Sequence, residues 1–190
     1  MLLLAHVGYT VVGGWAAQRL RLKNTVDFRL LAVMAVLPDI IDRTLFLFII
    51  PDAQSGRLIA HTLAFQLALL TALVVIRRGF WIYGLASLMH LALDSQTLAA
   101  SQALWPLLGS GLENVQIGGG EAPGAGQSFG ERVLDRLEVD GSNYTSLDLI
   151  DILFEFGGLL LLTAFAISTR IFERHHLLSL LLRGTASRRR

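Results

Sequence analysis

Histidine and aspartate residues recur inside hydrophobic sequence in the first half of the chain. Each is flanked by apolar side chains typical of buried or membrane-spanning helices: His6 in LLLAHVGY, Asp39 and Asp42 in AVLPDIIDR, His61 in GRLIAHTLAF, and His90 with Asp94 in LASLMHLALDSQT. A charged side chain at the centre of a bilayer costs at least about 2.5 to 3.5 kcal/mol, so such residues usually have a partner and a function. These six residues are the candidates for chemistry.

Their types favour a divalent metal ion. Three imidazoles with two or three carboxylates suit a borderline ion, of which Zn²⁺ fits best; Mn²⁺, Fe and Ni²⁺ are alternatives, and the set is large enough for one or two ions. The chain has no cysteine, which excludes thiolate ligands and cysteine nucleophiles. A bound metal lowers the pKa of its water toward ~7, so water can attack an ester or phosphoester without a side-chain nucleophile.

The spacing of these residues supports a shared site. His90 and Asp94 are four positions apart, so on a helix they lie on one face, where the carboxylate can share an ion with the imidazole or orient it. Asp39 follows Pro38, and a proline frees or breaks helical backbone, which lets a carboxylate project into a cavity.

Other polar residues also have structural interpretations. Asp42 is either a ligand or a partner of the adjacent Arg43 at the membrane surface, and His61 taken alone fits an interfacial histidine with access to water. Glu155 lies deeper in the last apolar stretch and could join the site. Helix capping is predicted for the two acidic residues that follow Ser146, namely Asp148 and Asp151.

The elements that must position these residues are hydrophobic helices. Of the 190 residues, 53% are hydrophobic, and the mean hydropathy of +0.56 is high for a soluble protein. Five apolar stretches, near residues 1–18, 29–50, 58–76, 80–105 and 147–169, approach the ~20 residues that a helix needs to cross a bilayer. We therefore predict an all-α, polytopic transmembrane helical bundle of about five spans, with four to six compatible with the pattern.

Three regions follow from this pattern. Residues 1–108 are predicted to form a metal-site membrane core, 109–146 a Gly-rich extramembrane loop with a short amphipathic helix at ERVLDRLEV, and 147–190 the last transmembrane helix and a basic tail. The GGG and GAG runs follow no strand and precede no P-loop lysine, so they indicate a flexible linker. A net charge of +1 gives no indication of nucleic-acid binding.

The distribution of arginine and lysine predicts the orientation, because cytoplasmic loops retain positive charge. With an outward N-terminus, the inner loops and tail hold most of the basic residues: Arg19, Arg21, Lys23, Arg29, Arg77, Arg78, Arg170, Arg174, Arg183 and Arg188 to Arg190. Arg57, Arg132 and Arg136 fall outside. We therefore predict a multi-pass inner-membrane protein with an outer N-terminus and a cytoplasmic C-terminus. At ~1.5 Å of rise per residue the six candidates share the outer half of the bilayer, whereas His175 and His176 lie on the cytoplasmic side.

Taken in order, the motifs resemble those of the YdjM-like family of bacterial membrane-bound metal-dependent hydrolases. The resemblance covers roughly residues 1–108. The family shows an early His, a LLPDID element, a HRGxTH element and a HxxxD element followed by Thr and Trp-Pro, which match His6, Leu37–Asp42, Arg57–His61, His90–Asp94, Thr97 and Trp105-Pro106. The chain differs at Arg43, where the family often has His, at Gly56, where HRGxTH has its first His, and by an extra isoleucine between Asp39 and Asp42.

The residues and the resemblance together predict a membrane-embedded metal-dependent hydrolase. Asp39 and Asp94 are assigned catalytic roles within a metal-binding set of His6, Asp39, Asp42, His61, His90 and Asp94. The ligand order is also similar to that of helical zinc-dependent phospholipases C, which suggests a phosphoester or lipid-like ester presented from the bilayer, with membrane lipids as partners. Intramembrane His and Asp also build ion paths, so an ion- or proton-coupled transporter is the alternative. A third hypothesis is a non-catalytic membrane scaffold that retains a metal site.

Overall fold

The described part of the chain is helical. In the computed structural model, residues 3–49, 58–94, 103–107, 128, 130–131, 133–134 and 149–186 are described. They contain helices and turns and no β-strand, which confirms the all-α prediction for this part of the chain. The α-helices are α1 Leu3–Arg19, α2 Phe28–Phe48, α3 Leu63–Ile76, α4 Trp81–Leu93, α5 Leu149–Ser168 and α6 Arg174–Arg183; 3₁₀ turns Ile59–His61 and Arg78–Phe80 precede α3 and α4.

The helices α2, α3 and α4 form one side of the bundle. The start of α2 meets the start of α4, where the backbone N–H of Asp27 donates to the Tyr83 hydroxyl at 2.9 Å. Further along, Ala35 of α2 contacts His90 of α4, so these two helices are parallel. Gly84 of α4 packs against the middle of α3, and the short connection makes α3 and α4 antiparallel.

The helices α1 and α5 form the other side. Gly158 near the middle of α5 packs on Ala5 at the start of α1, and Ser168 at the end of α5 lies beside Trp15 near the end of α1. The two helices are therefore parallel. Gly14 of α1 packs against Leu31 near the start of α2, so α1 and α2 are antiparallel. An apolar core between α1, α2, α4 and α5 includes Val11, Leu31, Met34, Tyr83 and Phe165.

Among the described helices, α5 alone is long and apolar enough to cross a bilayer by itself, with 20 residues and a mean hydropathy of 2.0. The helix α2 has 21 residues but carries charged side chains. The helices α3 and α4 have 14 and 13 residues. They are therefore about 20 Å long at 1.5 Å per residue, shorter than the ~30 Å hydrocarbon core. Because α4 ends at Leu93, the apolar stretch 80–105 is not one continuous helix.

Pro38 does not break its helix. We expected this proline to break α2 or to free its backbone, but α2 continues from Phe28 to Phe48 through it. Proline removes one backbone donor, and the rest of this 21-residue helix continues on both sides of it. Pro38 itself is fully buried. Asp39 and Asp42 are therefore held on a continuous helix, which fixes their spacing along its axis.

Hydrogen bonds join the last helix, α6, to the start of α2. Asp27 caps α2, and its carboxylate also accepts a hydrogen bond from the Arg29 guanidinium at 2.9 Å. This bond lowers the pKa of the Asp27 carboxyl. Arg29 in turn donates to the Leu181 and Leu182 carbonyls at 2.9 and 3.1 Å. At the end of α6, Gly184 has φ 67°, a left-handed conformation that glycine adopts without strain, and a side chain there would collide with Asp27.

Candidate metal centre

The directions of the helices bring the candidate residues to one end of the bundle, called here the site end. The helix α1 starts there, the 3₁₀ turn before α3 lies there, and α2 and α4 finish there. The site end therefore holds all six sequence-predicted residues, His6, Asp39, Asp42, His61, His90 and Asp94. Most of the predicted cytoplasmic arginines among the described residues lie toward the opposite end, with Arg19, Arg29, Arg77 and Arg170 near helix ends.

His61 is held by a carboxylate and by the turn that carries it. We predicted a helical context for this residue, but it lies in the 3₁₀ turn before α3, which Thr62 caps. Its Nδ1 lies 2.7 Å from Asp42 Oδ2. The Asp42 carboxylate also accepts from the backbone N–H groups of Leu58 and Ala60 at 2.6 and 2.8 Å. Since a carboxylate accepts, Nδ1 of His61 carries a proton, and in the neutral imidazole Nε2 presents a lone pair.

His90 is oriented in the same manner by a backbone carbonyl. Its Nδ1 lies 2.8 Å from the Ala35 oxygen of α2. A carbonyl oxygen accepts only, so Nδ1 of His90 carries the proton, and its Nε2 also presents a lone pair. The His90 side chain is 1% exposed. Both imidazoles therefore have a fixed tautomer and a fixed direction in the neutral form.

The Nε2 atoms of the two imidazoles face each other. His61 Nε2 and His90 Nε2 are 3.2 Å apart, although neither carries a proton in the tautomers that their Nδ1 contacts impose. Two lone pairs at this distance repel unless a cation or a shared proton lies between them. This pair is the central feature of the site.

Two carboxylates complete the surroundings of this pair. Asp39 Oδ1 lies 3.4 Å from His61 Nε2 and 3.6 Å from His90 Nε2. Asp94 Oδ2 lies 3.8 Å from His61 Nε2. The Asp94 side chain is 3% exposed, whereas that of Asp39 is 41% exposed. The site therefore opens on the Asp39 side.

His6 approaches from α1. Its Nε2 is 3.2 Å from Asp94 Oδ1, and its ring lies over that of His90 with centroids 4.1 Å apart. The two oxygens of Asp94 thus point in different directions, one to His6 and one to His61. Side-chain ligand atoms meet within 4.8 Å in two triads, His6–His90–Asp94 and Asp39–His61–His90.

The donor types and their distances from His61 Nε2 fit a divalent metal ion. With metal–ligand bonds of about 2.0 to 2.2 Å, neighbouring donors of a tetrahedral site lie about 3.3 to 3.6 Å apart. The distances that join His61 Nε2 to His90, Asp39 and Asp94 are 3.2, 3.4 and 3.8 Å. Two nitrogens and two carboxylates are also a chemically suitable set for Zn²⁺. The two negative charges would balance a divalent ion in a buried setting.

Asp42 has a different position from that of a direct ligand. Its oxygens are engaged by two backbone N–H groups and by His61 Nδ1, on the far side of the His61 ring from the facing nitrogens. The carboxylate lies against the turn at residues 58–61, where it orients His61. Its role as a metal ligand stays a prediction.

The sequence model of the YdjM inner membrane protein family matches residues 1–121. The chain belongs to this family. It is therefore a membrane protein, and the resemblance to the YdjM family is confirmed. No curated protein and no solved structure gave a match.

The YdjM match covers α1 to α4 and thus every residue of the site. Of the motif positions, Trp105-Pro106 lies in a described turn. Arg57, Gly56 and Thr97 lie outside the described residues, as do Asp148 and most of the Gly-rich segment 109–146. The predicted amphipathic helix is described only at residues 131, 133 and 134, which are helical.

Two supporting groups were not anticipated from the sequence. Gln66 is fully buried and donates from Nε2 to the Ala60 carbonyl at 2.7 Å, which braces the turn that carries His61. In the sequence, a polar glutamine within the apolar run LAFQLALL was the feature that could have indicated this role. The Ala35 carbonyl that orients His90 left no signal, because any residue type provides a carbonyl.

A third cluster lies away from the site. Glu173, His175 and His176 bring ligand atoms within 4.8 Å of one another near the start of α6, and the side chains of Glu173 and His175 are exposed. This cluster is at the opposite end of the bundle from the facing nitrogens. The prediction that His175 and His176 lie apart from the other candidates agrees with this position.

Proposed function

We propose that the chain is a multi-pass inner-membrane enzyme that hydrolyses a phosphoester or lipid-like ester with a metal ion held at the site end. The observation that carries this proposal is that His61 Nε2 and His90 Nε2 lie 3.2 Å apart and are flanked by carboxylates. A bound Zn²⁺ would activate water and polarise the ester. The chain contains no cysteine that could act as the nucleophile instead.

The geometry favours one principal ion. His90 belongs to both triads, but its Nδ1 is occupied by the Ala35 carbonyl, so the residue has one nitrogen to offer. We propose that His61, His90 and Asp94 hold this ion, which leaves a coordination position for water beside Asp39. His6 supports the ion through Asp94. A second ion would have to use Asp94 Oδ1 and His6, and metal analysis distinguishes one ion from two.

Asp39 is the proposed proton acceptor. Its side chain is 41% exposed, whereas those of His61 and His90 are 0% and 1% exposed. A substrate and water can therefore reach the site beside Asp39. Its Oδ1 faces the two imidazoles, which leaves Oδ2 to take a proton from the attacking water.

We expect Asp39→Asn to lower the rate of hydrolysis far more than it lowers the metal content. The amide oxygen of asparagine keeps lone pairs at the Oδ1 position, but the amide cannot accept the proton from water. Loss of a general base lowers the rate by about 10²- to 10⁴-fold. Purified protein should be assayed for metal content and for hydrolysis of a nitrophenyl phosphodiester and of a labelled phospholipid. The matched control is Asp151→Asn, an acidic residue in the first turn of α5.

Measurements of metal content, hydrolysis and ion flux together distinguish the alternative functions. Metal-dependent ion flux into proteoliposomes without a hydrolysed product would favour a transporter. Metal binding without product or flux in the wild-type protein would favour a scaffold. Wild-type protein without stoichiometric metal would contradict the proposed site as a whole.

We propose five membrane crossings with the site end on the outer side. The helices α1 to α4 alternate in direction, and α5 runs parallel to α1. Such alternation is what successive crossings produce. The arginines near Arg19, Arg77 and Arg170 lie at one end, which favours a cytoplasmic position for that end. The shortness of α3 and α4 requires that residues beside these helices complete their crossings.

This topology predicts a labelling pattern. Because the chain has no cysteine, single cysteines can be introduced at Gly130 in the long loop and at Leu182 in α6, both of which are exposed. A membrane-impermeant maleimide should label Gly130→Cys in intact spheroplasts and Leu182→Cys only after lysis. The opposite pattern would reverse the orientation, and equal labelling of both would place the two positions on one side.

A further inference from the structure

Glu155 of α5 binds the start of α1. Its two carboxylate oxygens accept hydrogen bonds from the backbone N–H groups of Leu4 and Ala5, at 3.1 and 3.2 Å. Residue 155 is about 150 positions away from these donors in the sequence. The bond therefore joins the last apolar helix to the helix that carries His6, which is the next residue after Ala5.

The Glu155 bonds have the role of a helix cap for α1. The first N–H groups of a helix lack partners within the helix and are usually satisfied by a Ser, Thr, Asp or Asn that precedes it. Here Met1 and Leu2 precede the helix, and their side chains offer no oxygen acceptor. In a membrane an unsatisfied N–H is costly because no water replaces the partner. A carboxylate also complements the positive end of the helix dipole.

The contact is fixed in register by glycines. A side chain at Gly8 would collide with the Gly158 backbone, and one at Gly158 would lie 2.6 Å from the Ala5 Cα. The two backbones therefore touch one turn beyond Glu155. Tyr9 also packs on Phe154, with ring centroids 6.0 Å apart. Together with the Glu155 bonds, these contacts define the register of α1 on α5.

We propose that Glu155 is a positioning residue that sets the depth and direction of His6 at the metal centre. Both of its oxygens are used by α1, so Glu155 acts through His6 and is not itself a ligand. His6 is 2% exposed and its Nε2 reaches Asp94 at 3.2 Å. A small shift of α1 would therefore move His6 away from Asp94. The helix α5 lies beyond the family match at 1–121 and still contributes to the site.

This inference rests on the proposed metal site, and its test uses metal binding and not turnover. Glu155→Ala in the full-length protein should weaken Co²⁺ or Zn²⁺ binding by about 10-fold, the low end of the range for loss of a residue that orients a ligand, because Glu155 acts on Asp94 through His6. Co²⁺ d–d absorption should also change, because a displaced His6 and Asp94 alter the coordination. Glu155→Gln, which retains one acceptor oxygen, should recover part of the affinity. Asp151→Asn on the same helix should match the wild type.

A double-mutant cycle distinguishes positioning from general stability. If Glu155 acts through His6, Glu155→Ala should add little further loss of metal affinity in a His6→Ala background, since coupled residues are not additive. If Glu155 only stabilises the bundle, the two losses should add, and that result would overturn the inference. An unfolded Glu155→Ala variant is recognised by circular dichroism and size exclusion, and Glu155→Gln then serves in its place in the cycle.

The remaining outcomes separate this inference from the proposed function. If the wild type binds metal and Glu155→Ala binds it with the same affinity, the positioning role of Glu155 is overturned. The proposed metal centre is then unaffected. Wild-type protein that binds no Co²⁺ or Zn²⁺ overturns the metal centre and with it the role of Glu155. Loss of affinity in Asp151→Asn equal to that in Glu155→Ala also overturns it, because the effect would then come from the charge of α5 and not from the bonds to α1.

Discussion

Replacement of His90 by alanine is expected to reduce metal affinity by more than about 100-fold, beyond the range for losing a residue that only orients a ligand. His90 is the one side chain shared by the two triads of ligand atoms. Its loss also removes the facing nitrogen 3.2 Å from His61 and the ring that packs on His6. Metal content after dialysis and the Zn²⁺ dissociation constant are the measurements.

The matched control for this variant is His175→Ala. His175 is a histidine with a 72% exposed side chain, located near the start of α6 and away from the site. Its replacement should leave the metal content unchanged. If both variants retained wild-type metal content, the His61–His90 pair would not be a metal site, and a shared proton would be the better explanation of the short nitrogen–nitrogen distance.

Asp42 should affect both stability and metal affinity, although it is not placed as a ligand. Asp42→Ala leaves the buried N–H groups of Leu58 and Ala60 without their acceptor, at a cost of about 1 to 3 kcal/mol for each donor. It also releases His61 Nδ1. We therefore expect a marked fall in the thermal unfolding temperature in detergent together with weaker metal binding.

Asp42→Asn separates these two effects. The amide oxygen can still accept from one of the two backbone N–H groups, which bond to different oxygens of Asp42. Asp42→Asn should therefore destabilise the fold less than Asp42→Ala. The loss of the carboxylate beside His61 Nδ1 weakens the control of its tautomer, for which a loss of metal affinity of about 10- to 100-fold is expected. Wild-type affinity in Asp42→Asn would show that the carboxylate serves the turn alone. Complete loss of metal in a well-folded Asp42→Asn protein would instead indicate direct ligation.

The residues of the candidate site were conspicuous in the sequence because ionisable side chains are rare in apolar segments. His6, Asp39 and His61 are isolated ionisable residues within apolar sequence, and such positions are expensive unless they share a partner. The i, i+4 spacing of His90 and Asp94 placed both on one helix face. The rise per residue and the alternating direction of successive spans then predicted a common depth for the six candidate residues. This prediction needs only the lengths of the segments.

Local sequence was less informative about where helices begin and end. The apolar run 80–105 suggested a long span, yet α4 ends at Leu93. His61 lies in a 3₁₀ turn because Asp42 accepts from the Leu58 and Ala60 N–H groups, which shapes the backbone there. Pro38 suggested a broken α2, but the helix is continuous. Contacts between distant segments outweighed the local pattern in the His61 turn.

What the sequence by itself determined is the class of protein, its helical nature and the identity of the residues with ligand chemistry, because hydropathy and residue type depend on composition and spacing alone. Only the tertiary structure decided which role each of these residues has. Asp42 turns away to hold His61, the Ala35 carbonyl sets the tautomer of His90, and Glu155 reaches α1 from a helix about 150 residues later. Hydrogen bonds have a direction and a short range, so the role of each carboxylate depends on which donors the folded chain brings within about 3 Å.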